Sequence, residues 1–237
     1  MEFTLDLSLI RHLLKHERMC ARDEIRDFGV FHAFANSQQR HDARIAAAPD
    51  FGALACTAGC AWCCHFSVDV RAAEVFRILD FVEESFSPDE KARVYAEVRA
   101  NSAELRNLAE SERVTRNVKC PFLRGGGCGI YPARPQTCRN YHATNVAGCQ
   151  QSYEEPDNLD IDPDFAPGVY QVGGAHVEAV SAAMGDAGYD VYAYELNCAL
   201  DAALSEPGAR ARFESRLKPF ISLGGEEVLA EFDDLQS

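Results

Sequence analysis

Four cysteines crowd into residues 56–64, as Cys56, Cys60, Cys63 and Cys64, in the spacing C-x3-C-x2-C-C. Four more follow at Cys120, Cys128, Cys138 and Cys149, with seven, nine and ten residues between successive members. Eight of the ten cysteines therefore lie between 56 and 149. Thiols at this density bind a metal, carry redox chemistry or form disulfides. An x2 or x3 spacing lets neighbours reach one ion within a single turn of chain. Structural zinc sites usually take C-x2-C knuckles from both ends, and here only Cys60 and Cys63 have that spacing. The spread second set suits a loop wrapped around a larger object, and iron–sulfur clusters accept such varied spacings. Spacing therefore favours an iron–sulfur cluster or iron, with zinc as the alternative. Cys63 and Cys64 are adjacent, so in an extended segment their side chains point apart. The pair serves one centre or two, or one thiol ligates while the other stays free.

Composition bounds the rest. A chain of 237 residues can bury a sizeable core without covalent staples, so the cysteines are not needed to rescue a tiny fold. The formal net charge of -14 repels phosphate backbones, which argues against nucleic-acid binding. The obvious basic cluster, from Arg124 to Arg139, is interleaved with the second cysteine set and reads as part of the site. The first residues lack a basic start followed by an apolar run, and no stretch approaches the roughly 18 uninterrupted apolar residues of a membrane span. The expected compartment is the cytoplasm, where thiols stay reduced; this lowers the prospect of disulfides and raises that of metal.

The elements that must hold these thiols are mostly helical. Leu5, Leu9, Leu13 and Leu14 recur at helical spacing and predict a helix over about 4–27. His12, His16 and Cys20 share one face of it, read as a polar stripe with one semi-buried thiol rather than a metal site. A second helix is expected over about 31–48, ended by Pro49, Asp50 and Gly52. Residues 66–70 alternate like a short strand, and 72–86 form an amphipathic helix. Ser87, Pro88 and Glu90 supply an N-cap, a first-turn proline and a capping-box partner for a helix to about 114. Residues 115–149, rich in Gly and Pro, leave little room for regular structure and need something to order them, which a metal or cluster would supply. Residues 157–174 read as another connection, and helices are expected at about 176–186, 189–205, 208–219 and 225–235. The class is mainly α: one helical domain over 1–237, with an irregular cysteine-rich metal-binding region at 56–150 between helices of 1–50 and 176–237.

The second cysteine set carries a distinctive text. Cys120-Pro121-Phe122-Leu123 is followed by Cys128-Gly129-Ile130-Tyr131-Pro132-Ala133-Arg134-Pro135 and by Cys138-Arg139-Asn140-Tyr141. With residues 56–64, this resembles the YkgJ-like zinc- or iron-chelating cysteine-cluster family over about 95 residues, from Cys56 to roughly Gln150. The resemblance implies a metal-chelating domain with all eight cysteines as ligands. It extends to the cysteine-rich part of flagellin lysine methylases, which implies an iron–sulfur requirement; nothing looks like a separate adenosylmethionine-binding Gly-rich unit. Cys56, Cys60, Trp62 and Cys63 also resemble the cluster loop of radical S-adenosylmethionine enzymes. The long helices after Cys64 do not suit their barrel, and Gly224-Gly225-Glu226 lies too late in the chain to be their cofactor motif.

Other residues have candidate roles. Arg134 and Arg139 either offset the charge of a thiolate-rich centre and contact a cofactor or anionic substrate, or pin the loop by bonding carbonyls. His65 and His142 sit beside ligand cysteines as candidate ligands, acid–base groups or donors to them, or as ordinary half-exposed histidines. Trp62 and Tyr131 are expected to shield the metal. Cys20 and Cys198 are expected in the core. The leading function is a metal-binding protein whose cysteine set holds an iron–sulfur cluster or iron. A metal-dependent enzyme acting on a peptide or small molecule, and a structural zinc module that engages a protein or peptide partner, are the two alternatives. No membrane partner is expected.

Overall fold

A computed structural model describes residues 7–161 and 163–223. The expected segments 4–6 and 225–235, and Gly224-Gly225-Glu226, lie outside the described residues. The chain opens with two helices, α1 (Leu7–Phe28) and α2 (Val30–Ala46). Gly29, with φ of 87°, separates them: this left-handed backbone suits glycine and turns the chain in one residue. The inner face of α1 differs from the expected leucine stripe. Leu9 is exposed, whereas Glu17, Ala21 and Ile25 are buried. The stripe misled because the face turned inward carries a carboxylate that is neutralised from α2.

After α2 come two short 3-10 turns, Phe51–Ala53 and Trp62–His65, and then β1 (Asp69–Val70). Two helices follow, α3 (Ala72–Ser85) and α4 (Pro88–Leu105). The start of α4 obeys its sequence signals: the Ser87 N–H donates to Glu90 Oε2 at 2.8 Å, and Pro88 occupies the first turn. Its end comes earlier than 114. The chain turns at Leu108, and a separate short α5 (Glu110–Arg113) begins where Glu112 accepts from the Ala109 N–H at 2.8 Å.

The cysteine-rich stretch is more structured than its composition suggests. It contains a hairpin of β2 (Leu123–Arg124) and β3 (Gly127–Cys128), a 3-10 turn at Tyr131–Ala133, and the helices α6 (Gln136–Asn140) and α7 (Val146–Glu154). Gly125 and Gly126 take φ of 52° and 81°, the left-handed pair that a tight hairpin turn demands.

A long α8 (Pro167–Asp186) starts nine residues before the expected 176. Its start is fixed from a distance: Asp50 accepts from the Gly168 and Val169 N–H groups at 2.7 and 3.0 Å. No local signal reveals such a cap. Likewise 189–205 is not one helix. β4 (Tyr194–Glu195) pairs antiparallel with β1, and then α9 (Leu196–Ser205) begins, capped by Glu195 on the Cys198 N–H at 2.8 Å. α10 (Ala209–Glu214) is shorter than the expected 208–219.

The architecture is mainly α, as its sequence predicts. α8 lies along α1 and α2, while α9 packs on α3 and α4. One core joins Phe34, Val70, Phe76, Ile78, Val98, Met184, Leu200 and Phe213 with Phe122 and Ile130 of the cysteine-rich stretch. Among the described residues, no helix is long and apolar enough to cross a membrane.

Candidate metal centre

The 3-10 turn Trp62–His65 sets the directions of the vicinal thiols. Successive side chains of a 3-10 turn point about 120° apart, so Cys63 and Cys64 look toward different neighbours. Cys64 lies within electrostatic range of Cys120, Cys128 and Cys138. Cys63 feels Cys138 and also Cys56, and Cys149 feels Cys56 and Cys60. Cys64, Cys120, Cys128 and Cys138 thus form one neighbourhood, the inner set, and Cys56, Cys60 and Cys149 another, with Cys63 in reach of both. All eight are free thiols, so the structure contains no disulfide among them.

Backbone pairing brings the inner set together. The Cys120 N–H donates to the Cys64 carbonyl at 2.8 Å, and the Val118 N–H to the His65 carbonyl at 2.9 Å. The hairpin sets Cys128 opposite Leu123, and the Gly129 N–H donates to the Phe122 carbonyl at 2.8 Å. Cys138 rides on α6. This helix is tied down by Arg139, which is buried and donates to the carbonyls of Pro132 and Arg134 and to Asp42. On the other side of α6, Glu74 of α3 accepts from the Gln136 N–H at 2.7 Å.

The thiols suppress one another's ionisation. Burial and then the nearby Cys64 and Cys128 sulfurs push Cys120 up to about 12, despite N–H groups of Phe122 and Leu123 that favour its thiolate. Burial raises Cys138 well above the ordinary thiol value, and Cys120, Cys128 and Cys64 raise it further. Burial likewise raises Cys128, with the Ile130 N–H acting against it. Cys149 rises to about 11 through burial and then Cys56 and Cys60, with the Tyr141 hydroxyl acting against them. In the vicinal pair the two sulfurs act on each other, so that Cys63 rises, with burial adding to the rise, while Cys64 falls to about 7.

Such a set resists ionisation until a cation joins it. A bound metal replaces mutual repulsion with attraction and deprotonates coordinating thiols outright. The donor chemistry therefore fits zinc, iron or a cluster. Among the described residues, no three His, Cys, Asp or Glu groups are drawn together closely enough to hold a single ion as they stand.

The remaining expected residues divide. Arg139 pins the loop through carbonyls, and the Arg134 guanidinium lies 3.9 Å over the Tyr131 ring and 3.8 Å from Asp42. The donors that favour the thiolates are backbone N–H groups of Phe122, Leu123 and Ile130 and the Tyr141 hydroxyl. Tyr131 is 59% exposed, so it supports Arg134 instead of shielding a metal; solvent-facing β3–α6 turn geometry prevails over its aromatic character. Trp62 is half-buried and packs at a tilt against Tyr153, with ring centroids 5.3 Å apart, and the His65 ring lies 4.9 Å from the same tyrosine. His142 is half-buried and held neutral by burial and then by Arg134. Cys198 is in the core as expected. Cys20 is only half-buried, with Sγ 3.7 Å from His16 Nδ1, and His12 and His16 are exposed.

One network has no sequence signal. Arg44 donates to His176 Nδ1 at 2.5 Å, His176 Nε2 lies 2.8 Å from Ser37 Oγ, and Ser37 donates to Glu17 at 3.0 Å. Arg40 also donates to Glu17, at 2.8 Å. His41, fully buried, stacks on His176 at 4.9 Å. This chain locks α1, α2 and α8 together behind α6.

Comparison with known families bears on the cysteine-rich region alone. Residues 55–159 match the family model CxxCxxCC, described as "Putative zinc- or iron-chelating domain". The match spans both cysteine sets and agrees with the family resemblance of the motifs. α1, α2, α8, α9 and α10 lie outside it. No curated protein and no solved structure matches the chain.

Proposed function

We propose that the cysteine sets of residues 56–149 hold an iron–sulfur cluster or iron, and that the chain is a metal-binding protein of this kind. The observation that carries this reading is the gathering of eight thiols into two all-sulfur sets around Cys63 and Cys64. The spread of the second set, with seven, nine and ten residues between its cysteines, supports a cluster over the paired knuckles of a structural zinc site.

A cluster or iron bound there supplies one-electron redox chemistry at a potential set by hydrogen bonds to sulfur and by exposure. The chain's own residues have defined tasks in holding it. The N–H groups of Phe122, Leu123 and Ile130 stabilise thiolate charge, as hydrogen bonds to a ligand's charged form do. Arg139 holds the Pro132–Arg134 turn and hence the approach of Cys138. Arg134 and Arg139 also place positive charge near the inner set, where both favour the Cys128 thiolate.

Anaerobic purification followed by iron, sulfide and zinc analysis tests this reading. Iron, with or without sulfide, at one or more equivalents per chain is expected. Stoichiometric zinc without iron or sulfide refutes it.

A further inference from the structure

We propose that the joint where α2, α6 and α8 meet is a buried water-binding site, in which a water molecule bridges His41 of α2 to Asn140 of α6. The site stands apart from whatever the cysteines hold.

His41 is fully enclosed, yet among the described residues neither of its ring nitrogens has a hydrogen-bond partner. The same is true of Asn140 Oδ1. These unpartnered groups are neighbours. The point where a β-carbon on Gly173 would stand lies 1.7 Å from Asn140 Oδ1 and 3.0 Å from His41 Nε2. Gln136, one turn before Asn140 on the same face of α6, is also buried, with both of its side-chain amide atoms unpartnered. A buried imidazole or amide left unpaired loses its hydration with nothing in return, and native folds rarely keep such groups.

The two side chains are not free to turn toward each other. The His41 ring is stacked on His176 at 4.9 Å and 17°. His176 is itself held between Arg44 and Ser37. The Asn140 amide donates to the Tyr170 carbonyl at 3.3 Å, and its oxygen lies against the bare backbone of Gly173. The missing partner is therefore a separate molecule, small enough to sit between packed helices. Burial, and then the charges of His176, Arg139, His142 and Arg134, keep His41 neutral. Its ring thus offers one N–H and one lone pair, and Asn140 Oδ1 offers an acceptor. Water donates and accepts at once, so it satisfies both groups. A metal cation is repelled by the Arg134 and Arg139 charges, and an anion is repelled by the Asn140 oxygen.

High-resolution crystallography and water–protein NMR on the full chain test this, with wild type beside His41→Phe. The phenylalanine keeps the ring and its stack but removes both nitrogens. In wild type, density for a water is expected within about 2.7–3.2 Å of a His41 ring nitrogen and of Asn140 Oδ1. A cross-peak between water and the Gly173 α-protons should accompany it. In His41→Phe both signals are expected to disappear. Where that variant does not fold, the wild-type density and cross-peak decide alone. A dry site with His41 bonded directly to Asn140 or to another protein group overturns the assignment. So does an anomalous-scattering peak there, which marks a metal ion, or a water signal unchanged in folded His41→Phe.

Discussion

The side-chain amide of Asn140 fills the space where a β-carbon on Gly173 would stand: an added methyl there lies 1.7 Å from Asn140 Oδ1 and 3.0 Å from His41 Nε2. α8 can therefore approach α6 closely only because this position has no side chain. Asn140 is held in place, since its amide donates to the Tyr170 carbonyl at 3.3 Å.

Replacing Gly173 with Ala sets two effects against each other. Helix propensity favours Ala by about 1 kcal/mol, whereas overpacking a close contact costs about 1–3 kcal/mol. The clash is with a hydrogen-bonded group, so the upper end of the cost applies and a net loss of up to about 2 kcal/mol is expected, seen as a lower urea midpoint. Because α6 carries Cys138, metal retention falls with it. An added Asn140→Ala substitution recovers part of the stability; no recovery would show that the contact is not the cause.

Glu17 is fully buried between Arg40 and Arg44. Burial alone lifts its pKa, but the hydrogen bond from Arg40, the charge of His176 and the hydrogen bond from Arg44 bring it below the ordinary value. Glu17→Gln leaves two guanidinium groups short of their counter-charge. A loss of about 3–5 kcal/mol is expected in equilibrium urea unfolding. An unchanged midpoint would contradict the network.

The same network sets an acid limit. Burial holds His176 at about 4 in the folded chain, against 6.5 when free, and Arg44 and Arg40 add to this while Glu17 opposes it. His41, beside it on α2, is lower still, through burial and then the charges of His176 and Arg139. Between these values the unfolded chain binds more protons, so stability is full above pH 6.5 and falls as pH drops toward 4. Linkage gives about 3 kcal/mol from His176 over that range. His176→Gln should flatten the dependence of the unfolding free energy on pH between these limits. An equally steep profile in the variant would exclude His176 as its source.

Arg139 joins the carbonyls of Pro132 and Arg134 to Asp42 with one planar group. Lysine cannot reproduce that fork. Arg139→Lys is expected to cost about 2 kcal/mol and to speed metal release from the loop that bears Cys138. Circular dichroism with chelator competition measures both. Wild-type behaviour in both readouts would mean that Arg139 does not position the loop.

Residues 55–159 should not fold alone. Val70 pairs with Tyr194, and Phe122 and Ile130 are enclosed by a core that includes Val180, Leu196 and Leu200. The isolated segment is expected to show no cooperative thermal transition and to bind a hydrophobic dye, even with metal supplied. A sharp transition in that segment would disprove this.

How much of this was written in the sequence depends on distance along the chain. The helix start at Ser87, Pro88 and Glu90 was legible because every group that makes it lies within four residues. The eight thiols were legible because their chemistry is carried by type and spacing. The early start of α8 was not, because its cap is Asp50, on the far side of the cysteine region. Nor was the buried face of α1, where Glu17 occupies a position that periodicity assigns to an apolar residue; its neutralising partners lie on α2 and α8. The directions of the Cys63 and Cys64 side chains depend on a 3-10 turn that composition does not signal.

The pairing of Val70 with Tyr194 has a consequence for the order of events during synthesis. Ribosomes add residues from the N-terminus, and all eight clustered thiols emerge before β4 and α9. The wall behind the inner set is completed only when those later segments emerge and dock. For that interval the cysteine-rich stretch lacks the core segments against which Phe122 and Ile130 pack. The cysteine-rich stretch is thus enclosed last, when Tyr194 meets Val70 and the core closes over Phe122 and Ile130.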